Sequence, residues 1–201
     1  MHTDAELVQI TDAALADAYA RAGDWMACKP GCHQCCIGVF PITTLDADRL
    51  RDALATADPG VAIRIRQRAS EARTRLTQNF PGNAATGELF TEPHHEEDFD
   101  DFANDELCPV LDPITGTCDL YAARPIPCRT FGPPMPNDEG GLAVCELCFV
   151  GAPESEVARC TVDAGFLDTE TGVVAEHESR TGKHGLTVIA FALSEESDDE
   201  I

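Results

Sequence analysis

Cysteine dominates the chemistry open to this chain: there are ten in 201 residues, and they are unevenly spread. Cys28, Cys32, Cys35 and Cys36 lie within the nine-residue stretch CKPGCHQCC. Cys108, Cys118 and Cys128 fall in CPVLDPITGTCDLYAARPIPCRTF, and Cys145 and Cys148 form CELC. Cys160 stands apart, on a helix expected to start near Pro153. A thiolate's polarisable sulfur binds soft and borderline cations, and two cysteines separated by two or three residues can turn toward one ion with little chain strain. The nine grouped cysteines are therefore the candidate metal ligands, and Cys160 reads as a buried helix cysteine.

The adjacent pair narrows the reading. Side chains of neighbouring residues diverge, so Cys35 and Cys36 cannot ligate one tetrahedral ion without strain, but they can serve two ions or two irons of one cluster. Nine grouped thiols also exceed the four of a single structural site. The expectation is two metal centres, or one polynuclear centre, formed by bringing residues 28 to 36 against residues 108 to 148. His33 and Gln34 read as spacers.

Other cysteine chemistries fit less well. Cys28-x3-Cys32-x2-Cys35 has the spacing by which radical S-adenosylmethionine enzymes hold a four-iron, four-sulfur cluster. Those enzymes are partial or full β/α barrels, and no alternation of strand and helix follows here. Cys145-Glu146-Leu147-Cys148 likewise lacks the βαβ setting of a thioredoxin-like motif. There is no serine or cysteine nucleophile with a placed base, no phosphate-binding glycine loop and no histidine-rich catalytic motif, so hydrolase and kinase readings have no support. Catalytic residues are not identifiable; if the chain is an enzyme, it is an oxidoreductase whose metal carries the chemistry.

Composition sets the surroundings. Against 36 acids stand 14 Lys plus Arg, a formal net charge of −22, which repels phosphate backbones and anionic membranes. Neither nucleic acid nor a membrane is an expected partner; a redox or protein partner is compatible but unidentified. The N-terminus lacks a basic n-region, and Asp4, Glu6, Asp12 and Asp17 interrupt any apolar run, so no signal peptide is expected. No stretch reaches 18 apolar residues. The expected location is the cytoplasm, where thiols stay reduced; the alternative is a disulfide scaffold exported by another route.

The elements that must position the thiols are mostly helical. Thr3-Asp4-Ala5-Glu6 reads as a capping box, followed by Leu7, Ile10, Ala14, Ala18 and Ala22 at helical spacing, so a helix is predicted from about Asp4 to the Trp25 region. Pro30, Gly31 and Gly38 break periodicity around the first cysteines. Thr43 or Thr44 caps a second helix burying Leu45, Leu50, Ala53 and Leu54. A third, from about Val61 to Asn79, carries the stripe Val61, Ile65, Ala69, Ala72 and Leu76. Its arginines Arg64, Arg66, Arg68, Arg73 and Arg75 read either as an anion site or, preferably, as a face that pairs with acids. Asp112 to Gly116 is turn chemistry that folds the chain back between Cys108 and Cys118.

Residues 81–107 hold nine acids and no Lys or Arg, which reads as an acidic loop insertion; His94 and His95 within it read as solvated rather than ligating. Residues 194–201 form an acidic tail. GLTVIAFAL, Gly185 to Leu193, fits a buried strand or a buried helix equally. The predicted architecture is a small cysteine-rich single domain over residues 1–193, mainly α with irregular metal-bound loops and room for a few short strands.

CxxxCxxCC, a C-P-x-L-D stretch, G-x-C-x-L-Y-x-x-R-P-x-x-C-R-x-F-G and a later CxxC together resemble the YkgJ-like cysteine-cluster family of zinc- or iron-chelating domains. The second motif comprises Cys108, Pro109, Leu111, Gly116, Cys118, Tyr121, Arg124, Pro125, Cys128, Arg129, Phe131 and Gly132. The resemblance spans residue 28 to about residue 150 and implies metal binding through all three cysteine groups, without implying a reaction. Tyr121, Arg124 and Arg129 lie beside the ligands, either as donors to thiolate sulfur or as surface residues paired with acids.

Three functions remain open. Iron, as an iron–sulfur or polynuclear centre with a redox role, is favoured by the adjacent pair and the surplus thiols. A zinc-stabilised interaction module without catalysis is the alternative, each site contributing on the order of 10 kcal/mol of folding energy. Storage or transfer of metal is the third.

Overall fold

The computed structural model describes residues 2–91, 99, 102–137 and 140–194. His94, His95 and the acidic tail beyond Ser194 lie outside the described residues. The chain is mainly helical with a few two-residue strands, as expected. Among the described residues the α-helices with assigned bounds are, in chain order, α1 (Asp4–Ala22), α2 (Thr44–Thr56), α3 (Pro59–Leu76), α4 (Ile126–Thr130), α5 (Glu154–Arg159), α6 (Phe166–Thr181) and α7 (Ile189–Leu193). Among the described residues, no helix is long and apolar enough to cross a membrane. The chain divides into two compact units, one from Met1–Cys35 and Ile126–Gly182, the other from Cys36–Pro125 and Lys183–Ile201.

In the first unit, α1 starts at the expected capping box: the Thr3 side chain accepts from the Glu6 N–H, and the Glu6 carboxylate accepts from the Thr3 N–H at 2.7 Å. Its buried face is Leu7, Thr11, Leu15, Ala18 and Ala22. The middle of the stripe is thus shifted one residue from the predicted Ile10 and Ala14, since burying Leu15 removes more apolar area than burying Ala14. Helix α1 packs against α4 and α6. Arg129 of α4 is buried, and its Nη1 donates to both Asp12 carboxylate oxygens at 2.8 and 3.0 Å, pinning α4 to α1. Arg129 therefore pairs with an acid, as one of the two readings expected, but the arginine is not on the surface.

The second unit begins with strand β1 (Ile42–Thr43), which runs directly into α2. Thr43 closes a capping box with Asp46, and Asp58 caps α3 with Pro59 in its first turn. The buried face of α3 is Ala62, Ile65, Ala69, Ala72 and Leu76, so Ala62 replaces the predicted Val61. GLTVIAFAL is neither one strand nor one helix. Leu186–Thr187 pairs antiparallel with β1, Ile42 opposite Thr187, and the chain then turns into α7, all five of whose residues are buried. A short strand can use β1 as a partner for its backbone groups, whereas the remaining apolar residues satisfy theirs by coiling.

Within the expected acidic loop, the described residues include a hairpin pairing Gly82–Asn83 with Glu88–Leu89. Leu89 and Phe102 are buried with Phe80 and Phe191, the Phe80 and Phe191 rings 4.4 Å apart. Gly87 has φ +76, and a Cβ there would come within 2.6 Å of Phe191. Acidic composition conceals these apolar anchors.

Candidate metal centre

The first unit gathers cysteines from opposite ends of the family-like stretch. Past α1 the chain turns through Gly23–Trp25, and the Trp25 carbonyl accepts from the Phe149 N–H at 2.8 Å. That bond lays the segment leading into Cys28 beside CELC. Ala22, Cys145, Cys148, Phe149 and Cys160 form one buried cluster, with Trp25, Met26, Ala27 and Cys28 packed against it. Phe149 holds φ 56, a left-handed conformation costing a bulky residue on the order of 1–3 kcal/mol, and its buried ring and backbone bond hold it there. Cys148, one residue earlier, is buried in the same cluster.

The Cys28 and Cys145 thiols act on that of Cys148. Burial pushes the Cys148 thiol up to about 11; a hydrogen bond with the Ala27 backbone opposes this, while the neighbouring Cys28 and Cys145 add to it. An ionised Cys148 sulfur is disfavoured in this apolar setting without a compensating cation.

Gly132 completes the wall. Its carbonyl accepts from the Cys145 N–H at 3.2 Å, and a Cβ built on it would lie 3.1 Å from the Cys28 sulfur, 3.4 Å from Met26 Cε and 3.4 Å from the Tyr19 hydroxyl. Gln34, expected to be a spacer, donates from Nε2 to Glu146 Oε1 at 2.8 Å, linking the first cysteine stretch to CELC. Cys32 and Cys35 are half-buried and Cys128 is buried, all in the same unit. Cys160 is fully buried just past α5, as expected of a packing cysteine, although it sits against Cys145 and Cys148 rather than apart.

Cys36, Cys108 and Cys118 belong to the second unit. The Cys108 N–H donates to the Cys36 carbonyl at 2.8 Å and the Gly38 N–H to the Glu106 carbonyl at 2.9 Å, with Ile37 opposite Leu107, so Cys36 and Cys108 lie on a short antiparallel ribbon. The turn after Cys108 forms as predicted. Leu111–Asp112 pairs with Thr117–Cys118, Leu111 opposite Cys118, and Gly116 takes φ 67 at the bend. The Ile114 N–H and the Thr115 hydroxyl hold the Asp112 carboxyl below its ordinary value. Arg68 clamps both sides of this knuckle: Nε donates to the Pro109 carbonyl at 2.8 Å and Nη2 to Asp119 at 2.6 Å. Arg75 grips Glu106 at 2.6 and 3.1 Å. These α3 arginines pair with acids and fix the backbone on either side of Cys108. Arg124 stacks over the exposed Tyr121 ring at 3.8 Å.

The thiols are thus grouped differently from their order in the chain. Cys28 comes together with Cys145 and Cys148, and Cys36 with Cys108, while the adjacent Cys35 and Cys36 fall in different units. Among the described residues, no set of three or more His, Cys, Asp or Glu side chains is arranged to hold an ion as it stands.

A family model described as "CxxCxxCC: Putative zinc- or iron-chelating domain" matches residues 27–149, more than half of the chain. The protein belongs to this family. No curated protein and no solved structure matches the chain. The residues of this CxxCxxCC domain fit zinc or iron by the chemistry of their donors: soft sulfurs gathered at an apolar wall, with side-chain-free space at Gly132 beside the Cys28 sulfur. The model boundaries also enclose all nine grouped cysteines and leave Cys160 outside.

Proposed function

We propose that this CxxCxxCC protein holds iron, as an iron–sulfur or polynuclear iron centre, through cysteine thiolates in a redox role. The observation that carries the reading is the convergence of Cys28, Cys145 and Cys148 on one apolar cluster of the first unit. Cys32, Cys35 and Cys128 are further donors in that unit, and Cys36, Cys108 and Cys118 form the donor group of the second. When bound, such a centre supplies one-electron chemistry, with a potential set by hydrogen bonds to sulfur and by solvent exclusion. The chain's part is to exclude water, through Trp25, Met26 and Phe149, and to hold the sulfurs in place through the Trp25–Phe149 and Gly132–Cys145 backbone bonds.

A second reading rests on the sorting of donors into two groups, which suits two structural zinc ions and a role in protein contact without catalysis. Elemental analysis with an absorption spectrum, on protein purified without oxygen, separates the two. A brown protein containing iron supports the redox reading. A colourless protein with about two zinc ions overturns it.

A further inference from the structure

We infer that Gly132 is a positioning residue of the metal centre: the hydrogen in place of its side chain leaves the space in which the Cys28 sulfur is held, while its carbonyl fixes Cys145. The inference rests on the proposed metal-binding role of the first-unit thiols and deepens it.

Three features of Gly132 converge. Its φ is +133, in the half of backbone space that side-chain-bearing residues rarely adopt. Its open face meets Cys28 Sγ at 3.1 Å from the position a Cβ would take, closer than ordinary van der Waals contact, with Met26 Cε and the Tyr19 hydroxyl each at 3.4 Å behind. Its carbonyl accepts the Cys145 N–H at 3.2 Å. A single backbone unit therefore contacts a cysteine from CKPGCHQCC and a cysteine from CELC. A methyl group here is crowded against the Cys28 sulfur, with Met26 and Tyr19 at contact distance on the same space. The Cys28 sulfur must give way, and a ligand's sulfur cannot shift by a few tenths of an ångström without changing the metal's coordination.

Other glycines of this unit separate backbone strain from the sulfur contact. Gly151, three residues beyond Cys148, also has a positive φ, +75, yet a Cβ there meets nothing within 4 Å. Gly151→Ala therefore imposes a left-handed penalty near the same cysteines without touching a sulfur.

The test uses Co2+ as the metal probe on the full-length protein, made metal-free under reducing conditions, and reads affinity together with the sulfur-to-cobalt charge-transfer and ligand-field absorption. Wild-type protein should take up Co2+ with thiolate bands; no thiolate spectrum from the wild type defeats the metal-site reading itself, before Gly132 is considered. With the wild type binding, Gly132→Ala should weaken Co2+ about 10- to 100-fold and change the band pattern. Gly151→Ala should keep the wild-type spectrum. If Gly132→Ala binds Co2+ with unaltered affinity and bands, the inference fails while the metal reading stands.

Should Gly132→Ala not fold, the double variant Gly132→Ala/Cys28→Ala decides, because removing the sulfur removes the collision. Recovery of cooperative thermal unfolding in the double variant supports the contact. A double variant as unfolded as the single one assigns the defect to the backbone or to Met26 and Tyr19 rather than to the sulfur, and overturns the inference.

Discussion

Cys160 has no exposed surface and touches the same apolar cluster as Cys145 and Cys148, yet it lies outside the residues matched by the family model. If the donors are the nine grouped cysteines, as proposed, its sulfur contributes packing volume. Cys160→Ala should cost about 1 kcal/mol in urea unfolding while leaving the metal-to-protein ratio unchanged. Cys36→Ala should remove part of the metal. Equal metal losses from the two would show that the division into ligands and packing residues is wrong. The type and spacing of the candidate donors are legible in the sequence, because each short motif is local; which of them come together is a property of the fold. Gln34 is not legible in this way: its bond to Glu146 spans 112 residues, and nothing nearby distinguishes a spacer from a link. Gly132 was visible as part of a motif, but its proximity to the Cys28 sulfur depends on the fold.

At the scale of elements, helix starts were the most legible feature, since Thr3 and Thr43 each close a capping box with a carboxylate three residues on. Buried faces drifted by a residue in α1 and α3, because a neighbour one position away fills the core as well or better. GLTVIAFAL was ambiguous because the backbone partner of its first residues, β1, is remote in sequence. Helix α3 links element to site, for Arg68 holds the Pro109 carbonyl and Asp119 at once, with its side chain 22% exposed. That degree of shelter puts its charged hydrogen bonds above ordinary surface pairs. Arg68→Ala should cost about 1–3 kcal/mol in denaturant unfolding and should lower the metal affinity of the donor group that includes Cys108 and Cys118. Arg64→Ala, at an exposed position of the same helix, should be close to neutral in both measurements. Equal effects would remove Arg68 from any part in holding the knuckle.

For the molecule as a whole, 36 acids face 14 basic residues, so each cation has a wide choice of partners and those with fixed geometry stand out. Lys183 donates to both oxygens of Asp48 at 2.8 and 3.0 Å, and Arg51 adds a further bond. Partial burial alone would raise the Asp48 pKa, but Lys183 and Arg51 outweigh it and hold the carboxyl below its ordinary 3.8. A carboxyl depressed in the folded state stabilises above its unfolded pKa and loses that contribution as pH falls through the folded value. Lys183→Met should therefore destabilise by up to about 1 kcal/mol at neutral pH, and the gap from wild type should close in urea titrations carried below the depressed value. A gap independent of pH would assign the loss to packing. The unit that gathers Cys28, Cys145 and Cys148 is discontinuous in sequence, interrupted by all of Cys36–Pro125. On the ribosome, CKPGCHQCC emerges long before CELC is made. Cys28 cannot join the cluster around Phe149 until the intervening chain has been synthesised, so for that interval its sulfur lacks the shelter that the folded unit gives it.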